Sequence, residues 1–246
     1  MRELTRFARY LLPSVLVICF MSMAAPCAAQ EVDPPTAPDV PDVGDGRGSL
    51  FAPSAWLVLS APVQKQIDLK LYGFYIGDLN VPVAQVDVPI RTAKFLTVTP
   101  SYMFYSVPAS GLNEMTPLPG GFSDSYKEHQ FRIDGTLAFL VRNFEISARN
   151  MYVRRFRPTP VDDMNRYRGR IAIARPLSVQ GHIFKPFASY ETFYEPTGGW
   201  NRYRVWSGVT LPLNKHVLLQ PSYMWESSEG SRAVHYVLFG LILNAK

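Results

Sequence analysis

The chain has 246 residues, of which 47% are hydrophobic, 13% aromatic and 18% charged, with two cysteines and a net charge of +5. This composition excludes a disordered, collagenous or disulfide-stapled protein, and so mild a basic balance does not point to nucleic acid. There is enough apolar material for one sizeable core.

Residues 1–29 read as a cleaved secretory signal peptide. Arg2, Arg6 and Arg9 make a basic start, Leu11 to Met23 is almost wholly apolar, and Ala24 to Ala29 is a small-residue stretch. The apolar run is shorter than the roughly 20 residues a spanning helix needs. Cys19 and Cys27 both fall in this stretch, so the exported chain is expected to have no disulfide and no cysteine nucleophile or metal ligand. Pro26, directly before Cys27, disfavours a lipoprotein signal.

Residues 30–48 combine Glu31, Asp33, Asp39, Asp42 and Asp45 with Pro34, Pro35, Pro38 and Pro41 and no aromatic residue. Such a segment cannot bury enough apolar surface to order itself and reads as an acidic, Pro-rich flexible linker. Residues 49–246 form one domain.

That domain repeats segments of period-two alternation, rich in Tyr, Phe, Val and Thr and separated by Gly, Pro, Asn and Ser. The segments are 66–76, 83–90, 94–106, 129–141, 144–156, 166–175, 184–194, 202–211, 217–226 and 232–243, with 55–63 as a possible eleventh. Within six consecutive ones, over 129–141, 144–152, 166–173, 184–194, 202–211 and 217–226, one face has no charge. Their other faces carry Arg132, Asp134, Glu145, Arg149, Arg166, Arg168, Arg170, Lys185, Glu191, Arg202, Arg204 and Glu226.

The uncharged faces end in aromatic residues (Tyr152, Tyr167, Tyr194, Tyr203, Tyr223, Trp225), as an interfacial girdle does, and the segments are as long as tilted spanning strands. The expected fold is therefore all-β: an antiparallel up-and-down transmembrane β-barrel of about 10 strands, within 10 to 12, in the outer membrane of a Gram-negative bacterium. A single-chain bacterial barrel should have an even count. Short connections (142–143, 177–181, 212–216) should be periplasmic, and the longer 107–126 and 156–165 external.

The C-terminal half resembles a family of bacterial outer-membrane barrels known as domain of unknown function 2490. The resemblance lies in Lys185 to Tyr194, in Asn201-Arg202-Tyr203-Arg204, in Gly208, in the Pro-Leu-Asn-Lys-His turn at 212–216 and in Gln220 to Trp225. The chain ends Leu243-Asn244-Ala245-Lys246, without the terminal aromatic residue usual in outer-membrane barrels. The resemblance implies a barrel type and no assigned activity.

Charges facing into so narrow a barrel should pair. Arg132, Asp134, Glu145, Arg149, Arg170, Lys185, Glu191, Arg202, Arg204 and Glu226 are expected to form an interior charge network in a basic lumen. Arg154, Arg155, Arg157, Arg166 and Arg168 surround one external hairpin, where guanidinium forks could contact lipopolysaccharide phosphates.

The function this supports is a structural or passive small-solute, porin-like component without a cofactor. Its expected partners are outer-membrane lipids, lipopolysaccharide and the outer-membrane assembly machinery, and not nucleic acid. The rival readings are a lipid-modifying hydrolase, for which His129 with Ser123 or Ser125 and Asp124 or Glu128 is the one constellation, and a soluble periplasmic binding barrel. No His or carboxylate grouping has metal-ligand spacing.

Overall fold

The computed structural model describes residues 49–76, 81–107, 126–157, 163–179, 182–196, 198–228 and 233–245. The expected signal and linker, residues 1–48, thus lie outside the described residues, as do Ser123, Asp124 and Ser125. Every regular element among the described residues is a strand. None is a helix long and apolar enough to cross a membrane.

The strands are β1 (Ser49–Gln64), β2 (Ile67–Ile76), β3 (Val81–Asp87), β4 (Ile90–Arg91), β5 (Leu96–Val107), β6 (Tyr126–Val141), β7 (Phe144–Phe156), β8 (Met164–Ala174), β9 (Leu177–Val179), β10 (His182–Glu195), β11 (Gly199–Pro212), β12 (Val217–Ser228) and β13 (Ala233–Asn244). The short β4 shares the position of β3 between β2 and β5, and β9 that of β8 beside β10. Thirteen strands minus these two leaves an eleven-position ring. Each neighbour pair is antiparallel except one: β1 lies parallel to β13, from Ser49↔Ala233 to Ser60↔Asn244.

This parallel seam is where the structure departs from the expected even count. An alternating chain with an odd number of strands brings its first and last strands together pointing the same way, so closure must be parallel. Residues 55–63 are the middle of a full strand, not a partial one. The Pro-interrupted segment 83–90 is a strand broken at Val88 and Pro89, where the Val88 N–H donates to the carbonyl of Pro100 at 3.0 Å.

Alternation along each strand decides which side chains fill the interior. Phe131, Ile133, Ile171, Tyr190 and Phe239 are exposed on the outer wall, while Arg132, Arg170, Glu191 and Leu238 beside them are buried within. The interior has two sectors. From β13 through β1, β2, β3 and β5 it is largely apolar, built from Trp56, Val58, Tyr72, Phe74, Ile76, Val83, Tyr105, Tyr236 and Leu238. From β6 through β12 it is rich in arginine and carboxylate.

Turns follow local chemistry. Arg142 holds a left-handed φ of 55° in the two-residue β6–β7 turn, a position that glycine suits best. At β11–β12 the Asn214 side-chain oxygen accepts from the N–H groups of His216 (2.8 Å) and Val217 (3.0 Å), which closes the Pro-Leu-Asn-Lys-His turn.

Candidate functional site

The site is the charged sector of the interior, and Glu191 on β10 is at its centre. Its Oε1 accepts from Arg149 on β7 at 2.8 Å and from both Nε (3.1 Å) and an Nη (2.8 Å) of Arg168 on β8, while Oε2 takes a further bond from Arg168 at 2.8 Å. Arg204 on β11 approaches Oε2 at 3.6 Å but is hydrogen-bonded to Glu226 on β12. Arg202 stands 3.7 Å from the other oxygen of Glu226.

Two residues along β10, Phe193 is 0% exposed. The guanidinium carbons of Arg168 (4.7 Å), Arg204 (4.9 Å), Arg166 (5.7 Å) and Arg202 (5.9 Å) all lie within cation–π reach of its ring centroid. The ring therefore offsets four cations that three carboxylates share, Arg166 being bonded to Glu195. Nothing in a strand pattern marks a phenylalanine for this role, since an inward Phe in a barrel ordinarily reads as filling.

A second chain of bonds climbs the adjoining wall. Arg155 on β7 binds Glu128 on β6 with two contacts, 2.6 and 2.7 Å, and Glu128 also accepts from Gln130 at 2.6 Å. Arg132 donates to Gln130 and to Gln85 on β3, both at 3.2 Å, and Gln85 donates to Asp87 at 2.7 Å. Near the short-turn end Lys185 pairs with Glu145 at 3.0 Å. Buried charge held in bonded sets of this kind fixes geometry, because removal of one member strands the rest.

All ten residues expected in the interior network, Arg132, Asp134, Glu145, Arg149, Arg170, Lys185, Glu191, Arg202, Arg204 and Glu226, lie on inward faces. The five arginines expected around an external hairpin divide. Arg155, Arg166 and Arg168 are 3–5% exposed and bonded to Glu128, Glu195 and Glu191. They are interior groups, not external phosphate ligands, because alternation turns them inward. Arg154 faces out, donating to Asp163 and Asn165 at 3.1 Å each. Arg157 follows the strand end, where its backbone N–H donates to Asp163 at 3.1 Å.

The expected network left out Glu128, named only beside His129, together with Gln130, Gln85, Asp87, Glu195 and Phe193. Beginning the segment at His129 left out Glu128, which shares the parity of Arg132; one more step of the same alternation would have included it. His129 and Glu128 face opposite sides of β6, so this His–carboxylate pair has no catalytic geometry. Among the described residues no group of three or more His, Cys, Asp or Glu could hold a metal ion.

A closed β-barrel with a largely apolar outer wall, charged at Lys127 and Arg154 near its long-loop end, and with an ion-paired interior, defines the outer-membrane-type barrel class. The chain belongs to the family described as protein of unknown function (DUF2490), which it matches over residues 77–235. No curated protein matches. Among solved structures it is similar to a loop-deleted OmpT, an outer membrane protein of Vibrio cholerae, at 12% identity and a TM-score of 0.40, over 70% of this chain and 57% of that one. It is also similar to the β domain of the Bordetella autotransporter BrkA, at 16% identity and a TM-score of 0.41, over 69% of this chain and 78% of the other. The chain thus spans little more than half the length of OmpT.

Proposed function

We propose that the protein is an outer-membrane barrel whose interior is a sealed structural network, making it a structural membrane component and not an open pore. The observation that carries this is Glu191, which ties together arginines of three strands, β7, β8 and β11, at the level where a solute path would have to pass. The largely apolar outer wall, charged only near its long-loop end, supports a lipid environment, with the long connections facing outward. Export through a signal cleaved after Ala29, and insertion by the assembly machinery, belong to the same reading.

Purified protein in a planar bilayer should show no stable conductance. Steady channel events, above all anion-selective ones, would replace the sealed reading with a narrow passage for small anions. Cell fractionation should place the protein with outer membranes, with a mature N-terminus at Gln30; recovery in the soluble periplasm would overturn the location.

A further inference from the structure

Two histidines stand on the outer wall, each between aromatic residues of the two neighbouring strands. His129 on β6 lies between Phe104 on β5 and Phe156 on β7 in one cross-strand row. His235 on β13 lies between Trp225 on β12 and Phe51 on β1. In each case a tyrosine two residues further from the long-loop end of the neighbouring strand meets the ring: Tyr102 OH is 2.6 Å from Nδ1 of His129, and Tyr223 OH is 2.5 Å from Nδ1 of His235. The ring pairs match in spacing, at 6.1 and 5.9 Å, and in tilt, at 36° and 38°.

The two pairs also face each other across the molecule. From β6 to β13 there are six steps through β7, β8, β10, β11 and β12, and five through β5, β3, β2 and β1. In a ring of eleven positions that is as close to diametric as the count allows.

The chemistry follows from which nitrogen is occupied. In the tautomer with hydrogen on Nε2, the phenol donates to Nδ1 and Nε2 is a donor. A cationic ring carries hydrogen on both nitrogens, and Nε2 is again a donor. The tyrosines lie toward the bilayer middle, so Nε2 is left for a partner nearer the long loops. Among the described residues the outward neighbours of His129 include Phe104, Tyr102, Phe156, Lys127, Arg154 and Ser106, and those of His235 include Trp225, Tyr223, Val237, Phe51, Pro53 and Ser227. Among the described residues neither set contains a carboxylate, and both hold flat rings at the level where aromatic side chains meet headgroups.

We propose that the two Tyr–His pairs are matched anchors, each donating Nε2–H to the phosphate of a lipid headgroup in the leaflet at the long-loop end. Together they hold the barrel at a set height from opposite sides. This rests on the membrane placement proposed above.

The test uses full-length mature protein in two kinds of vesicle, phosphate-free galactolipid alone and galactolipid containing lipid A. Protease resistance and a compact unboiled gel form in both vesicles would support the membrane placement. Failure in both would overturn that placement, and the anchors with it. Given insertion, ¹⁵N–³¹P dipolar contact should appear at Nε2 of His129 and His235, and not at His182 or His216, only with lipid A. The thermal midpoint should be several degrees higher with lipid A. The double variant H129N/H235N, which keeps an amide near the Nδ1 position, should lose that rise, and H129Q/H235Q, which keeps one near Nε2, should retain most of it. An inserted wild type with no ¹⁵N–³¹P contact, or Asn and Gln variants that behave alike, would overturn the anchors. Adding inorganic phosphate to galactolipid vesicles should leave the midpoint unchanged; an equal rise there would also overturn the lipid source.

Discussion

At the scale of single residues, Glu191 shows how adjacency in the chain and adjacency in the network differ. Its register neighbours are Arg170 and Arg204, and sequence alternation alone favours the latter as its partner. The strongest bonds come instead from Arg168 and Arg149, whose side chains reach diagonally over the β8 wall. Replacing Glu191 by Gln should strand buried guanidinium groups at a cost of about 3–5 kcal/mol, measured by urea unfolding in detergent micelles. The further change Arg168→Met should recover part of that loss, and more than Arg204→Met does, because Arg204 keeps Glu226. Equal recovery from both would mean that the bonds to Arg168 do not dominate. The outer wall gives the complementary case. Ile171 is 63% exposed on the outer wall, so Ile171→Arg should cost roughly 2–4 kcal/mol if that wall meets lipid near the midplane here. Glutamine at Ile171 should cost less than arginine there, and a smaller effect of arginine would argue against lipid at this position.

At the scale of elements, legibility tracked charge. Segments from 129 to 226 declared both faces because one face held nearly all the ions, Arg154 being an exception at a strand end, and their strands, β6 to β12, have the interior parity read from sequence. The β1 segment is apolar on both faces, with Ala52, Trp56 and Val58 inside and Phe51, Leu57 and Leu59 outside. Period-two reasoning has no contrast to work on there, and the apolar sector of the interior was invisible for the same reason. Close backbone approach was hidden as well. A Cβ at Gly240 would fall 2.1 Å from the ring of Trp56, its register partner across the seam. Gly240→Ala should therefore cost about 1–3 kcal/mol through overpacking, and Trp56→Leu in the same chain should relieve much of it; thermal melting of the single and double variants checks this. A neutral Gly240→Ala would mean that the indole has room to move.

At the scale of the whole molecule, the strand count decides where the chain begins and ends. With eleven positions, β1 enters at the long-loop end, beside the start of β13, and Asn244 leaves at the short-turn end. An even, wholly antiparallel barrel would pair the first strand with the last in the opposite sense. The two closures make different residues neighbours, so cross-linking can separate them. Leu57 and Leu241 are register partners across the parallel seam, and adjacent Cα atoms of paired strands are within the span that a disulfide bridges. Both native cysteines, Cys19 and Cys27, precede residue 30, so an exported chain cleaved after Ala29 has no thiol to compete. Leu57→Cys with Leu241→Cys should oxidise to a cross-link in the folded barrel, seen as a mobility shift on a denaturing gel that a reductant reverses. Leu57→Cys with Val237→Cys, four residues along β13, should not, because those positions lie too far apart along the seam. Cross-linking of the second pair and not the first would shift the register by four residues. Failure of both in a chain that still runs as the compact form would remove the parallel closure itself, and with it the entry of β1 at the long-loop end.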